Sequence, residues 1–312
     1  MPPCTASSEA DVKLQAILLK SLLKVATTYR TVNMSQAFPA PFLKPLLSMS
    51  LAADPSVRLT VQTIFHQLLD RHQNLTKLSR PLSLASVPPP GLAIEKAYRQ
   101  DVMFMRKNGG EILARIFESF KIPSNSGANY DSLFTTLTLL VVELFSDEVL
   151  VEILRVALCL QDSASTAAIS LTLSEQQKAA LHAMVAALCV FCGQMSALPA
   201  LQDHVEQVVK QRHEQAPWML PESGRYQSSK VDRRRPSMAA IPETPEELKF
   251  DKVVIEEALR SSGHDTSRLF LPFQNHTDSV TSGGLPRSGS DLHAISLDID
   301  SVGSSPGGHR VS

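Results

Sequence analysis

The sequence predicts an all-α protein, and three observations carry that prediction. Only 5% of its 312 residues are aromatic while leucine and alanine abound, which favours helices over strands. From about residue 11 to 215 apolar side chains recur at a spacing near 3.6. Pro-rich connectors, "RPLSLASVPPPGL" and "IPSNSGAN", separate the periodic stretches.

The first stretch, "DVKLQAILLKSLLKVATTYR", puts Leu14, Ile17, Leu18, Leu22, Val25, Ala26 and Tyr29 on one helical face, which is expected to be buried. A short segment at 42–51 follows, entered through Pro39 and Pro41. In "DPSVRLTVQTIFHQLLDRHQN", Asp54 can cap a helix, Pro55 takes the tolerated first position, and Val57, Val61, Ile64, Phe65 and Leu68 form a stripe. "SDEVLVEILRVALCLQDSA" has the same layout, with Val149, Ile153, Val156, Ala157 and Leu160. The Asp-Pro-x-Val-Arg start resembles the second helix of a HEAT-type repeat. From Asp54 to Ser146 is 92 positions, about two periods of roughly 46, inside the roughly 40 to 47 of HEAT and armadillo units. Ser174, with Gln177 three residues on, opens a further helix by a capping box, and another spans 201–214.

"RQDVMFMRKNGGEILARIF" reads as a joint between two helices at Gly109-Gly110, because glycine supplies the left-handed conformation that ends a helix. A phosphate cradle there would need G-x-x-x-x-G-K-[ST] after a strand, and the stretch has neither. On this reading Arg106 and Lys107 lie in a last turn, beside the negative end of the helix dipole.

After Pro217 the periodicity stops. The expected organisation is a disordered N-terminus (1–10), a helical-repeat domain (11–216), a linker (217–245) on which Trp218 and Leu220 are candidates to dock, a partner-binding helix with an extended segment (246–274), and a disordered tail (275–312). In 246–262, Leu248, Val254, Ile255, Ala258 and Leu259 share one face, opposite Lys249, Lys252, Glu256 and Arg260. The sequence offers this helix no partner within the chain, so it reads as one built to lie in another protein's groove.

A net charge of -1 argues against a nucleic-acid partner. No uninterrupted run of ~18 to 20 apolar residues is expected to cross a bilayer, and "MPPCTASSEADVK" lacks the layout of a secretory signal. Cys4, Cys159, Cys189 and Cys192 are few, and three sit among apolar neighbours, as in a reducing cytosol. Cys189 and Cys192 have redox-motif spacing without the surrounding βαβ unit or a second pair for zinc, so they read as buried helix. His66 and Asp70, four apart, would need metal ligands from elsewhere; a solvated ledge or a local hydrogen bond is the expectation. "GSSPG" at 303–307 matches the letters of a hydrolase elbow, but Pro306 stands where the bracing helix belongs, so a lipid hydrolase centred on Ser305 is only a rival reading. "RRRPS" at 233–237 makes Ser237 a candidate phosphorylation site, where phosphate would add about -1.5 to -2 charge beside three arginines. Thr244-Pro245 and Ser305-Pro306 are lesser candidates.

Read together, the "RQDVMFMRKNGGEILARIF" stretch, "PFLKPLLSMSL", "FHQLLDRHQN", "ALCLQDSA", "QMSALPALQDHVEQV" and "APWMLPE" resemble the rolling blackout family, also called eighty-five-requiring protein three. The likeness runs over about 11–273 and is to the carboxy-terminal part of a member. It implies a HEAT/armadillo-like rod acting as a scaffold, not an enzyme, with no cofactor. Such scaffolds sit on the cytoplasmic face of the plasma membrane and recruit phosphatidylinositol 4-kinase III alpha, which makes phosphatidylinositol 4-phosphate. Recruitment runs through the tetratricopeptide repeat adaptor called protein seven and its companion hyccin. The family's adaptor contact lies near the carboxy-terminal end, which nominates Leu248, Phe250, Val254, Ile255 and Leu259, with Leu269, Phe270 and Phe273 of "SRLFLPF" as a second element. Members carry acylated cysteines near the N-terminus, for which Cys4 is the candidate here; one acyl chain gives only marginal membrane residence. A solenoid without its first repeats is expected to expose apolar surface at the cut end. The alternative is a general helical-repeat scaffold with unrelated partners.

Overall fold

The computed structural model describes residues 9–79, 84, 87–165, 173–221 and 245–273. Among these the regular structure is helical: α1 (Glu9–Thr28), α2 (Met34–Ala37), α3 (Ala40–Met49), α4 (Pro55–Leu69), α5 (Leu75–Leu78), α6 (Arg99–Phe120), α7 (Gly127–Glu143), α8 (Asp147–Ser165), α9 (Glu175–Ser196), α10 (Pro199–Gln215) and α11 (Lys252–Ser261). Single 3-10 turns occupy Pro217–Met219 and Glu246–Leu248.

The helix starts follow local chemistry. Asp54 Oδ1 accepts the Ser56 amide at 2.8 Å, with Pro55 at the first helical position. Ser174 and Gln177 form their reciprocal box, the serine hydroxyl accepting from the Gln177 amide at 3.3 Å. The arginine of the Asp-Pro-x-Val-Arg start is fully buried: Arg58 donates to the Ala52 carbonyl at 2.6 Å, to Ser124 Oγ at 3.1 Å and to Asn125 Oδ1 at 2.9 Å. It thereby ties the turn before α4 to the turn before α7.

The core lies where α7, α8 and α9 pack together. In α8, Val149, Ile153, Val156, Ala157 and Leu160 are all buried, as the stripe predicts. Burial of each such Val, Leu or Ile side chain is worth about 1.5–3 kcal/mol. By length and composition α9 could cross a membrane, contrary to the expectation from the sequence, but 72% of its apolar window is buried inside the protein. Its Cys189 and Cys192 lie wholly within that core, and burial pushes the Cys189 thiol up to about 12 and Cys192 well above the usual range.

Two further expectations are overturned here. The stretch around Gly109-Gly110 is not a joint: α6 runs unbroken through both glycines, burying Phe104, Ile112, Leu113, Ile116 and Phe117. Tertiary packing on both sides outweighs the roughly 1 kcal/mol that each glycine costs a helix. Arg106 is therefore mid-helix, donating through Nε to Glu148 at 3.0 Å instead of capping a terminus. In α1, the stripe expected inside faces out. Leu14, Ile17 and Val25 are 56%, 60% and 59% exposed, and Leu18, Leu22 and Tyr29 are exposed with them. What α1 buries, beside α4, is Ala26, the one member of the expected stripe that turns inward, together with Leu19 outside it.

Candidate protein-interaction site

The helix expected to lack a partner within the chain has one. Residues 245–273 run as a strap over α8 and α10, and two buried arginines hold it in the same way. Arg212, on α10, donates to the Leu248 carbonyl at 2.7 Å and lies over the Phe250 ring, its guanidinium carbon 4.5 Å from the centroid. Arg155, on α8, donates to the carbonyls of Leu271 at 2.7 Å and Pro272 at 3.1 Å and lies 4.0 Å over the Phe273 ring. Phe273 in turn stacks on Phe117 of α6 at 5.2 Å.

The two clamps differ electrically. Arg155 also meets Glu152 at 3.0 Å. Arg212 donates to neutral oxygens, including the His182 carbonyl at 3.1 Å, and desolvation brings its pKa down to about 10. Gln161 adds a two-way amide pair with Phe250, accepting from its N–H at 2.8 Å and donating to its carbonyl at 3.0 Å. Burial, reinforced by the Arg212 charge, brings the His182 pKa down to about 3.

Within the strap, Asp251 starts α11 by accepting the Val253 amide at 2.7 Å. The helix ends at Gly263, whose φ of 86° lies in the left-handed region, with the His264 amide returning to the Leu259 carbonyl at 3.1 Å. Lys252 pairs with Asp162 of α8. Ile255, Ala258 and Leu259 are buried in the seat of α11, whose neighbour is α10.

Of the eight residues nominated for partner binding, Leu248, Phe250, Ile255, Leu259 and Leu269 are buried and serve to seat the strap. Val254 and Phe270 face solvent, joined by Val253 and Leu271, and Phe273 is half-buried. The apolar face read as waiting for another protein is thus mostly used internally, because α8 and α10 supply the groove. Of the linker candidates, Trp218 packs with Ala216, Met219 and Leu248, and Leu220 rests on the main core. Ser237, Cys4, Thr244, Ser305 and the arginines of 233–235 lie outside the described residues.

His66 is neither a ledge nor locally bonded. Its Nε2 lies 2.9 Å from Thr136 Oγ1 and 3.0 Å from the Ser132 carbonyl, joining α4 to α7, and burial brings its pKa down to about 4. Asp70 does make the local bond, accepting the Asn74 amide at 2.7 Å.

Sequence reasoning missed both arginine clamps and a buried charge knot. Arg71 donates to Asp101 at 2.6 Å and to the Glu143 carbonyl, His72 Nδ1 lies 2.6 Å from Glu143, and Asn74 donates to Glu143 at 2.8 Å. The available signal was a lone charge inside an apolar run: Glu143 in "TLTLLVVELF" and Arg155 in "EILRVAL". Charged residues are buried only when partnered, so such a position implies a partner elsewhere in the fold.

A sequence profile described as EFR3, armadillo repeat, matches residues 3–260. Protein EFR3 homolog A of Mus musculus is 33% identical over 293 residues, 94% of this chain and 35% of its own length. Protein EFR3 homolog cmp44E of Drosophila melanogaster is 35% identical, covering 98% of this chain and 37% of its own. For protein EFR3 homolog B of Homo sapiens the figures are 34%, 83% and 31%. No solved structure matches. This chain spans about a third of the length of these relatives. With the profile lying over the helical repeats and reaching into α11, the chain belongs to the EFR3 armadillo-repeat family.

Proposed function

We infer that this protein is a non-catalytic scaffold that helps recruit and anchor a phosphatidylinositol 4-kinase III alpha complex at the cytoplasmic face of the plasma membrane, supporting phosphatidylinositol 4-phosphate synthesis. The observation that carries the reading is the strap, a fixed seat with outward apolar side chains on an armadillo-family domain. In this reading the buried members of the nominated set position the strap, while Val254 and Phe270 touch the tetratricopeptide repeat adaptor protein seven and hyccin. The inert, deeply buried Cys189 and Cys192 suit a structural protein. Acylation at Cys4 and phosphorylation at Ser237 belong to the same proposal as its membrane and regulatory arms.

The test is a pull-down of purified adaptor with hyccin on the whole chain, with Val254→Asp and Phe270→Asp as variants. Binding that disappears in the variants while the thermal melt stays put supports the reading; binding that persists in both rules out this contact. The exposed stripe of α1 favours a second, broader reading, a helical-repeat scaffold with unrelated partners that dock there. A helical repeat stacks on its neighbours through such a face, and an outermost one is normally polar. Loss of adaptor binding in Leu18→Ser, with Val254→Asp silent, would favour α1 as the contact.

A further inference from the structure

The glycine pair of α6 marks a second site. Gly109 and Gly110 floor a cleft of about 360 Å³ between α6, the first turns of α8 and the end of the strap. That volume is at the low end of the roughly 300–1,000 Å³ typical of ligand pockets, room for one or two large side chains. The depth is apolar, from Leu113 and Val149, both buried. The mouth is charged: Arg106 meets Glu148 at 3.0 Å, and Arg268 meets Glu152 at 3.1 Å. Glu152 is shared with Arg155, and among the charges that line the cleft itself Arg106 and Arg268 face three carboxylates, of which Asp265 stands outside both pairs. Among its hydrogen bonds between described residues, Asp265 accepts from Ser267 alone, through its amide at 2.9 Å and through its hydroxyl.

We propose that this cleft binds a peptide segment of another protein that inserts a large apolar side chain over the glycines and sets a lysine or arginine beside it, against Asp265 and Glu148. Glycine at position 110 leaves the helix backbone open to a close-lying side chain, which any larger residue would cover. Glu148 can share its charge with the incoming cation, because its pair with Arg106 is solvent-exposed and inexpensive to open. An acidic segment meets the excess carboxylate and is repelled.

The experiment uses the whole chain and three fluorescein-labelled amphipathic dodecapeptides read by anisotropy: one with tryptophan flanked by lysines, one with tryptophan flanked by glutamates, and one with serine flanked by lysines. The first should bind saturably, and the other two at least tenfold more weakly. Gly110→Leu fills the cleft. An added Cβ meets Arg268 Nη2 at an ordinary 3.9 Å and leucine favours the helix, so the melt should not fall. It should weaken the first peptide at least tenfold, and Asp265→Lys should weaken it severalfold. Absence of saturable binding, equal binding of all three peptides, or unchanged affinity in Gly110→Leu would each overturn the proposal.

Discussion

α1 and α11 are both amphipathic, and their apolar faces meet opposite fates. α11 seats Ile255, Ala258 and Leu259 in the protein and is fastened at either end of the strap by Arg212 and Arg155. α1 buries only the strip of Leu19 and Ala26 and turns its broader face, from Leu14 to Tyr29, to solvent. Amphipathicity therefore tells that a face seeks cover, and the polar groups of the neighbouring helices tell which face receives it. α11 contributes to stability; the outer face of α1 is left uncovered.

The contrast can be broken most forcefully at Ile255. Ile255→Asp puts a carboxylate on a fully buried position and should cost about 4 kcal/mol, seen as a large fall in the melt and rapid proteolysis within 245–273. If the melt does not move, the strap is not seated and the comparison fails. Next comes Arg212→Ala, which strands the Leu248 and His182 carbonyls and removes the ring contact; about 2–3 kcal/mol should be lost in urea unfolding.

Acid should act at two buried histidines, His182 beside Arg212 and the strap and His66 between α4 and α7. His182 and His66 hold folded pKa values of about 3 and about 4, below the ordinary 6.5 that they regain on unfolding. As pH falls below 6.5 the unfolded chain takes up a proton at each while the folded one does not. Stability present above pH 6.5 is then lost progressively, about 2–3 kcal/mol per histidine by pH 4.5. His66→Gln should flatten that slope in urea titrations at stepped pH. The smallest effect belongs to α1. Leu18→Ser should change stability by less than about 0.5 kcal/mol, whereas Leu19→Ala, one residue on, should cost about 2 kcal/mol or more.

Much of the fold was legible because it is local. The caps at Asp54 and Ser174 and the stripe of α8 need only their own few residues to declare themselves, and they lie where their patterns put them. What was misread depends on distant groups. Nothing near Gly109-Gly110 signals that packing on both flanks keeps α6 unbroken, and nothing in 246–262 signals that Gln161 and Arg212 wait for Phe250. On α1 the angular neighbours Leu19 and Leu22 are both leucine, so periodicity could not choose between two adjoining apolar strips; α4 makes the choice. The residues nominated in 246–274 were read as facing outward and most of them face inward, since the larger apolar residues there are the ones most useful internally.

Both clamps grip main-chain carbonyls, at Leu248, Leu271 and Pro272. A carbonyl is the same whatever side chain its residue bears. The strap can accordingly change its outward residues over evolutionary time without losing its seat, provided the two ring-bearing anchors and the two arginines stay. Such a latch fixes how the outward residues are presented without fixing which residues they are.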